Sequence, residues 1–414
     1  MNKIKQLMQE LCPEGVAVEW KAVNEVFDLR NGYTPSKANL EYWIAGDIPW
    51  FRMEDLRTNG NVLNDAVQHV HKTGIKGKLF SANSIIMATT ATIGEHALVT
   101  VDYMSNQRFT NFTVKDEFRE LLDMKFVYYY FFILDEHAKQ SVNTSSFPSV
   151  QMNELKKWSF PIPPLAVQDE IVRILDTFTE LTAELTAELT AELTARKKQY
   201  NYYRDQLLSF DDGAVEVEWK TLGDDSVGKF IRGSGLQKKD FTETGVGCIH
   251  YGQIYTYYGT YVDKTKTFVS EEFAKKARKA KHGDLVIATT SENDKDVCKA
   301  VAWLGDEEIA VSSDACFYTH NLNPKYVAYF FQTEQFQKQK RPFITGTKVR
   351  RVNATDMAKI KIPIPPLAEQ ARIVAILDKF DTLTNSIIEG LPREIALRKQ
   401  QYEYYRDKLL TFKK

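Results

Sequence analysis

The chain has 414 residues, of which 43% are hydrophobic and 12% aromatic, with a formal net charge of −1. That length suggests two to four domains with room for sizeable cores. No apolar run approaches the roughly 20 residues a membrane span needs, and near-neutrality argues against general nucleic-acid binding unless positive charge is concentrated locally.

In chain order, the opening MNKIKQLMQELC holds no hydrophobic signal core, so the chain reads as cytoplasmic. A first globular part runs roughly from Val16 to Phe160. In it SIIMATT, ending at Thr90, reads as strand, RTNGN as a turn, and His69 and His71 alternate as strand residues would. The aromatic run Phe126 to Phe132 reads as buried helix or strand, and Trp43 and Trp50 as core or loop anchors.

The first tail is helical. Ile171, Ile174, Leu175, Phe178, Leu181 and Leu185 recur at spacings of three and four, one helical face. Pro163 and Pro164 suit its start, where a missing N–H costs little, and the helix is predicted from about Leu165 to Phe210. Inside it ELTAELTAELTAELTA, Glu180 to Ala195, is a run of good helix formers. Each four-residue unit adds about 6 Å and drifts its leucine by only ~40°. Units can thus be gained or lost with little damage to the face, which suits a spacer of variable length. A turn at DGAVE leads to a second globular part, roughly Val215 to Ile362, containing the strand-like DLVIAT. Gly390-Leu391-Pro392 should break or kink the second tail. The two tails are expected to be long helices of similar length, packed antiparallel.

The chain repeats itself. PIPPLAVQDEIVRILDTF from Pro161 returns as PIPPLAEQARIVAILDKF from Pro363, and RKKQYNYYRDQLLSF from Arg196 returns as RKQQYEYYRDKLLTF from Arg398. Both pairs share an offset of 202 (363 minus 161, and 398 minus 196). VAVEWK at Val16 answers VEVEWK at Val215, SIIMATT answers DLVIATT, and KFVYYYFF at Lys125 answers KYVAYFF at Lys325. The chain is therefore two copies of a unit of about 200 residues, each a diverged globular part and a well-matched tail. A pseudo-twofold arrangement would bring the C-terminal helix back near the N-terminal arm. The fold class is α+β: two mixed globular domains, two long helical regions forming an antiparallel coiled coil, and a pseudo-twofold internal repeat. The divisions are an arm, 1–15; domains, 16–160 and 211–362; and helical regions, 161–210 and 363–414.

Catalytic constellations are missing. No GxxxxGK[ST] phosphate loop and no glycine-rich dinucleotide or S-adenosylmethionine-type loop is present. Ile162-Pro163-Pro164-Leu165 and Asn323-Pro324-Lys325 fall short of the Asn/Asp-Pro-Pro-aromatic motif of amino-methylating enzymes. Asp294 and Asp296, beside Lys295, read as a solvated loop rather than a Mg²⁺ site. The histidines show no ligand spacing, and Cys12, Cys248, Cys298 and Cys316 read as reduced, packed thiols. Basic residues do cluster locally: Lys264 to Lys281 carries seven against Glu271 and Glu272, and Lys338 to Arg351 carries six with no acid.

GYTPS at Gly32 to Ser36, then EYW at Glu41 and GDIPW at Gly46 to Trp50, resembles the opening of a target recognition domain in type I restriction-modification specificity subunits. PIPPLAEQ leading into IVAILDKF resembles the join to that family's helical spacer, and the TAEL repeat the spacer of one subgroup. The second globular part departs by opening RGSGLQKKDF at Arg232, so it should read a different sequence. The resemblance implies a non-catalytic subunit whose two domains each read half of a bipartite, asymmetric site on double-stranded DNA, with the helices fixing the gap. Two modification subunits would dock on the helical parts and bring S-adenosylmethionine; restriction subunits would bring ATP, Mg²⁺ and cleavage. This chain itself would need no cofactor, metal or membrane.

Candidate DNA contacts are hydroxyls and exposed amides for phosphates, and arginines for phosphates or guanine edges. In the first domain they are Arg52, Arg57, Gln107 and Arg108, with Ser145 and Ser146 in the polar stretch before the tail. In the second they are Arg232, Lys238, Lys239, Gln253, Tyr255, Lys264 and Lys266, with Thr347, Lys348, Arg350 and Arg351 before the tail. Two other classes stay open: a methyltransferase or nuclease with drifted motifs, and a coiled-coil adaptor for proteins only.

Overall fold

The computed structural model describes residues 18–143, 148–210, 217–385 and 390–412. Residues up to Thr186, with those from Leu397 onward, form one unit, and Ala187–Ala396 form the other.

In the first unit the strands are β1 (Glu19–Ala22), β2 (Phe27–Asn31), β3 (Ile48–Phe51), β4 (Val62–Leu63), β5 (His69–Val70), β6 (Ser84–Ala88), β7 (His96–Val99), β8 (Met104–Ser105), β9 (Phe109–Val114) and β10 (Ser159–Ile162). Helix α1 (Met53–Asn59) follows β3, α2 (Met124–Gln140) follows β9, and the tail enters α3 (Leu165–Leu207). The EWKA of β1 pairs antiparallel with β10, closing the globular part where the tail begins. The main sheet runs β2-β9-β6-β7-β4 and a smaller one β5-β3-β8. All five residues of β6 are buried, so its sequence shows no alternation. Its side chains nevertheless go to opposite faces. Ile85 and Met87 pack with Phe27, Phe126 and Phe131, while Ile86 and Ala88 pack with Trp50, Phe51 and Tyr103. The run Phe126 to Phe132 is helical, started by the Asp123 carboxylate accepting from Phe126 N at 2.8 Å.

The second unit repeats this plan with β11 (Glu218–Thr221), β12 (Gly228–Arg232), β13 (Phe241–Thr242), β14 (Val246–Ile249), β15 (Tyr261–Val262), β16 (Thr267–Val269), β17 (Lys279–Ala280), β18 (Leu285–Ala288), β19 (Thr290–Ser291), β20 (Ala300–Trp303), β21 (Ile309–Val311), β22 (Ala315–His320), β23 (Arg350–Arg351) and β24 (Lys361–Ile364). Its sheets run β12-β22-β18-β20-β15 and β13-β16-β14-β21-β17, and β11 pairs with β24 as β1 does with β10. Helix α4 (Tyr251–Thr256) corresponds to α1, and α5 (Pro324–Phe330) to the start of α2. Leu285 and Ile287 face the core under α5, and Val286 and Ala288 the core around Trp303.

The first tail is one helix of 43 residues. The second is two of 19 residues each, α6 (Leu367–Asn385) and α7 (Leu391–Leu409), separated at the Gly390-Leu391-Pro392 break. The tails therefore cover equal spans, Leu165–Leu207 and Leu367–Leu409, and differ in that the second is broken. A side chain at Gly390 would strike the carbonyls of Thr382 and Leu383, so the break needs glycine. Within the first unit α7 packs antiparallel on the start of α3: Phe178 meets Tyr405 at 6.1 Å, and Thr179 and Tyr402 hydroxyls lie 2.9 Å apart. Within the second, the end of α3 meets α6 through the counterpart pair Tyr203 and Phe380, at 5.8 Å. The C-terminal helix thus returns to the first globular part, where Leu410 is buried beside Phe126 and Phe160. The predicted apolar face of α3 is buried at Ile171 and Leu175 but thins out by Leu181, which is 55% exposed. DGAVE and the N-terminal arm lie outside the described residues.

Candidate nucleic-acid interface

In both units the same segment ends converge at one edge of the main sheet. In the first, β2 ends at Asn31, opposite Thr110 near the start of β9; β6 ends at Ala88, opposite Phe109. Thr89 N donates to Arg108 O, Thr89 O accepts from Val150 N, and Thr90 bridges to Ser149, which brings the segment before the tail alongside. In the second, β12 ends at Arg232 opposite Cys316, and β18 ends at Ala288 opposite Ala315. Thr289 N donates to Asp314 O, Thr289 O accepts from Val352 N, and Thr290 pairs with Arg351.

This register equates positions that a single sequence offset does not. Asn31 corresponds to Arg232, Gln107 to Ser313, Arg108 to Asp314, and Ser149 to Arg351. The first unit thus puts a cation where the second has an acid, and a hydroxyl where the second has a cation. The backbone plan is shared and the chemistry on it is exchanged.

In the first unit, one loop carries the GYTPS motif to this edge. Trp50 and Trp43 indole N–H groups donate to Tyr33 O and Ser36 O, each at 3.1 Å, and the two rings meet edge to face at 4.9 Å. A Cβ at Gly32 would collide with the carbonyls of Ser105 and Asn106, so the loop can seat only with glycine there. Thr34 Oγ1 donates to Gln107 Oε1 at 2.5 Å. Gln107 and Arg108 are exposed on the turn before β9. Arg52 is half-buried at the start of α1, its guanidinium 5.5 Å from the Trp50 ring and 2.8 Å from Glu54. Arg57 faces elsewhere, lining a pocket with Glu95, Glu136 and Arg406. Ser145 and Ser146 lie outside the described residues.

In the second unit, Arg232 is exposed, its Nε 3.3 Å from Ser313 O, and its own carbonyl accepts from Arg278. Arg350 Nε lies 2.8 Å from Asp294 Oδ1 but forms no aligned hydrogen bond there, and Arg351 lies 3.9 Å from Asp314. Thr347 and Lys348 are exposed in the turn before them, where Gly346 takes φ +88°. Lys238 and Lys239 are exposed, and Lys238 acts on His250, the start residue of α4. Burial lowers the His250 pKa and Lys238 adds to this, while Asp314 opposes it. Lys264 and Lys266 are also exposed, with Lys266 Nζ 4.5 Å from the Tyr257 ring.

Gln253 and Tyr255, expected as contacts, spend their polar atoms inside the fold. Gln253 accepts from His250 N at 2.9 Å and donates to Thr267, and the Tyr255 hydroxyl donates to Thr290 O at 2.7 Å. The sequence reading missed Asn31, His250, Asn293 and Ser312 to Asp314, which this edge gathers in. The repeat offset alone would not have aligned them, because the connections between strands differ in length. Among the described residues no cluster of His, Cys, Asp or Glu could hold a metal, and Asp296 instead accepts from Asn293. No described helix is long and apolar enough to cross a membrane.

A family model described as the type I restriction modification DNA specificity domain matches the chain twice, at residues 16–195 and 215–397. Among curated proteins, the Escherichia coli type I restriction enzyme EcoprrI specificity subunit is 41% identical, with 92% of each chain covered. The EcoR124I/EcoR124II specificity subunit of the same species is 36% identical over 97% of this chain and 96% of its own. A putative subunit from Haemophilus influenzae is 32% identical over the full length of both. Two solved structures share the fold at 16% identity. A chain from work on complex assembly of the type I restriction-modification system has a TM-score of 0.68, with 95% of this chain and 98% of that one covered. The HsdS subunit of Thermoanaerobacter tengcongensis has 0.52, with 96% of each covered. The chain therefore belongs to the type I restriction-modification specificity family, as a DNA specificity subunit that is not itself a catalyst.

Proposed function

We propose that the two globular parts, residues 16–160 and 211–362, each read one half of a bipartite, asymmetric site on double-stranded DNA. The helical regions, 161–210 and 363–414, set the gap between halves. The observation that carries this reading is the shared edge with exchanged chemistry: Arg108 and Ser149 in one unit stand where Asp314 and Arg351 stand in the other. A cation can bind phosphate or a guanine edge, whereas a carboxylate repels phosphate and accepts from cytosine N4. Two such edges on one duplicated frame favour two different half-sites. Helix α3, with 43 residues, is about 64 Å long at ~1.5 Å per residue, a length suited to a spacer.

The tails also leave apolar side chains exposed in counterpart pairs: Leu165 and Leu367, Leu181 and Leu383, Tyr202 and Tyr404. Matched exposed apolar positions on the two tails suit two copies of one partner, which we take to be the modification subunits. These would supply S-adenosylmethionine chemistry, and restriction subunits ATP and Mg²⁺, in the cytoplasm; this chain would carry none of those cofactors.

The test is selection from a randomised duplex pool at moderate salt by this chain co-expressed with its modification subunit. Enrichment of two short motifs at a fixed separation is expected. A folded complex that enriches no sequence would refute the reading and favour the protein-only adaptor.

A further inference from the structure

Each unit holds its tail helix to its globular part with the same set of polar contacts. In the second unit the Asp378 carboxylate on α6 accepts from Tyr329 OH at 2.6 Å and Lys325 Nζ at 2.7 Å, both on α5. Lys325 Nζ also sits 3.6 Å from the Tyr261 ring of β15, so one ammonium joins sheet, helix and tail. In the first unit Asp176 on α3 accepts from Tyr129 at 2.8 Å and Lys125 at 2.6 Å, both on α2. A buried glutamine repeats as well. Gln168 accepts from Asp123 N and donates to Pro163 O; Gln370 accepts from Asn323 N and donates to Pro365 O.

Packing does not require these groups. Val167, Ile171 and Leu175, and Ile373, Val374 and Leu377, already seat the tails against their cores. Apolar contacts are non-directional, so they hold a helix down without fixing its rotation or slide. A carboxylate receiving two donors from one helix is directional and charge-assisted. At Asp378 it is also largely sheltered, with side-chain exposures of 22% for Lys325 and 27% for Asp378.

We infer that Asp176 with Lys125 and Tyr129, and Asp378 with Lys325 and Tyr329, are positioning residues that lock the angle of each reader on its own spacer helix, and so set how sharply DNA gap length is discriminated. This rests on the bipartite reading above. One base pair is about 3.4 Å of rise, so a reader free to swing by that distance at its outer edge accepts neighbouring gaps.

The test uses the full chain in complex with its modification subunit and duplexes carrying both selected half-sites at the preferred gap or one base pair more or less. Asp378→Asn is expected to reduce discrimination between gaps at least fivefold, leaving base preferences within each half-site unchanged. Tyr329→Phe, which removes one donor and keeps the ring, should give a smaller loss in the same direction, and Asp378→Glu should recover part of it. Should Asp378→Asn fail to fold, Tyr329→Phe decides alone. Unchanged gap discrimination in a folded variant overturns the inference, as does loss of base preference in step with gap preference. If the unaltered complex selects no two-part site, the failure is of the bipartite reading instead.

Discussion

Replacing Arg351 with serine converts the second unit's edge to the residue the first unit carries at the corresponding Ser149. The side chain is 56% exposed and 3.9 Å from Asp314, an exposed ion pair worth no more than about 1 kcal/mol. Folding stability should therefore stay within about 1 kcal/mol of the starting protein. DNA binding should change more. If Arg351 meets a phosphate, the slope of log affinity against log salt becomes shallower by about 0.9, with all sequences weakened alike. If it meets a base edge, discrimination at one position falls by about 1–3 kcal/mol, roughly 5- to 150-fold. In either case the loss belongs to the half-site read by the second unit. Fluorescence anisotropy titrations of the complex at several salt concentrations, on duplexes altered in one half or the other, separate these outcomes. Affinity within twofold at every salt, or equal weakening of preference in both halves, would refute the placement of Arg351 at the interface.

Gly32→Ala should destabilise the first unit by about 1–3 kcal/mol, because its Cβ would overlap the Ser105 and Asn106 carbonyls; denaturant titration measures it. Arg406→Ala should cost about 1–2 kcal/mol, since this buried guanidinium lies 4.1 Å from the Phe132 ring, and faster amide exchange in α7 would report it. Burial pushes the His320 pKa down to about 4 from an ordinary 6.5. The unfolded chain then binds the extra proton between those values, so stability present above pH 6.5 is lost as pH falls towards 4. His320→Gln should flatten that acid limb by on the order of 2 kcal/mol, read from urea midpoints at pH 4.5, 5.5 and 7.5.

The duplication and the helical tails were legible because they are local or repeated: a constant offset, spacings of three and four, and Gly390 with Pro392 at the break. The aromatic run at Phe126 was legible as buried but not as helix, because every residue type in it suits a strand equally well. Sheet order was not legible, since β2 pairs with β9 across the intervening residues 32–108 and no periodicity records a partner. Nor was the interface as a whole. Arg108 and Asp314 become counterparts only through strand register, since the connection from β6 to β7 is shorter than that from β18 to β20. Tyr255 and Gln253 looked available because the sequence does not reveal which way a six-residue helix faces.

If the frame sets the gap while the edges choose the bases, deleting one TAEL unit, Thr186 to Leu189, should change the gap alone. The deletion removes about 6 Å of helix at ~1.5 Å per residue. Selection from a randomised duplex pool should return the same two half-sites with the gap shortened by about one to two base pairs of 3.4 Å rise. The same gap, or altered half-sites from a folded complex, would contradict it.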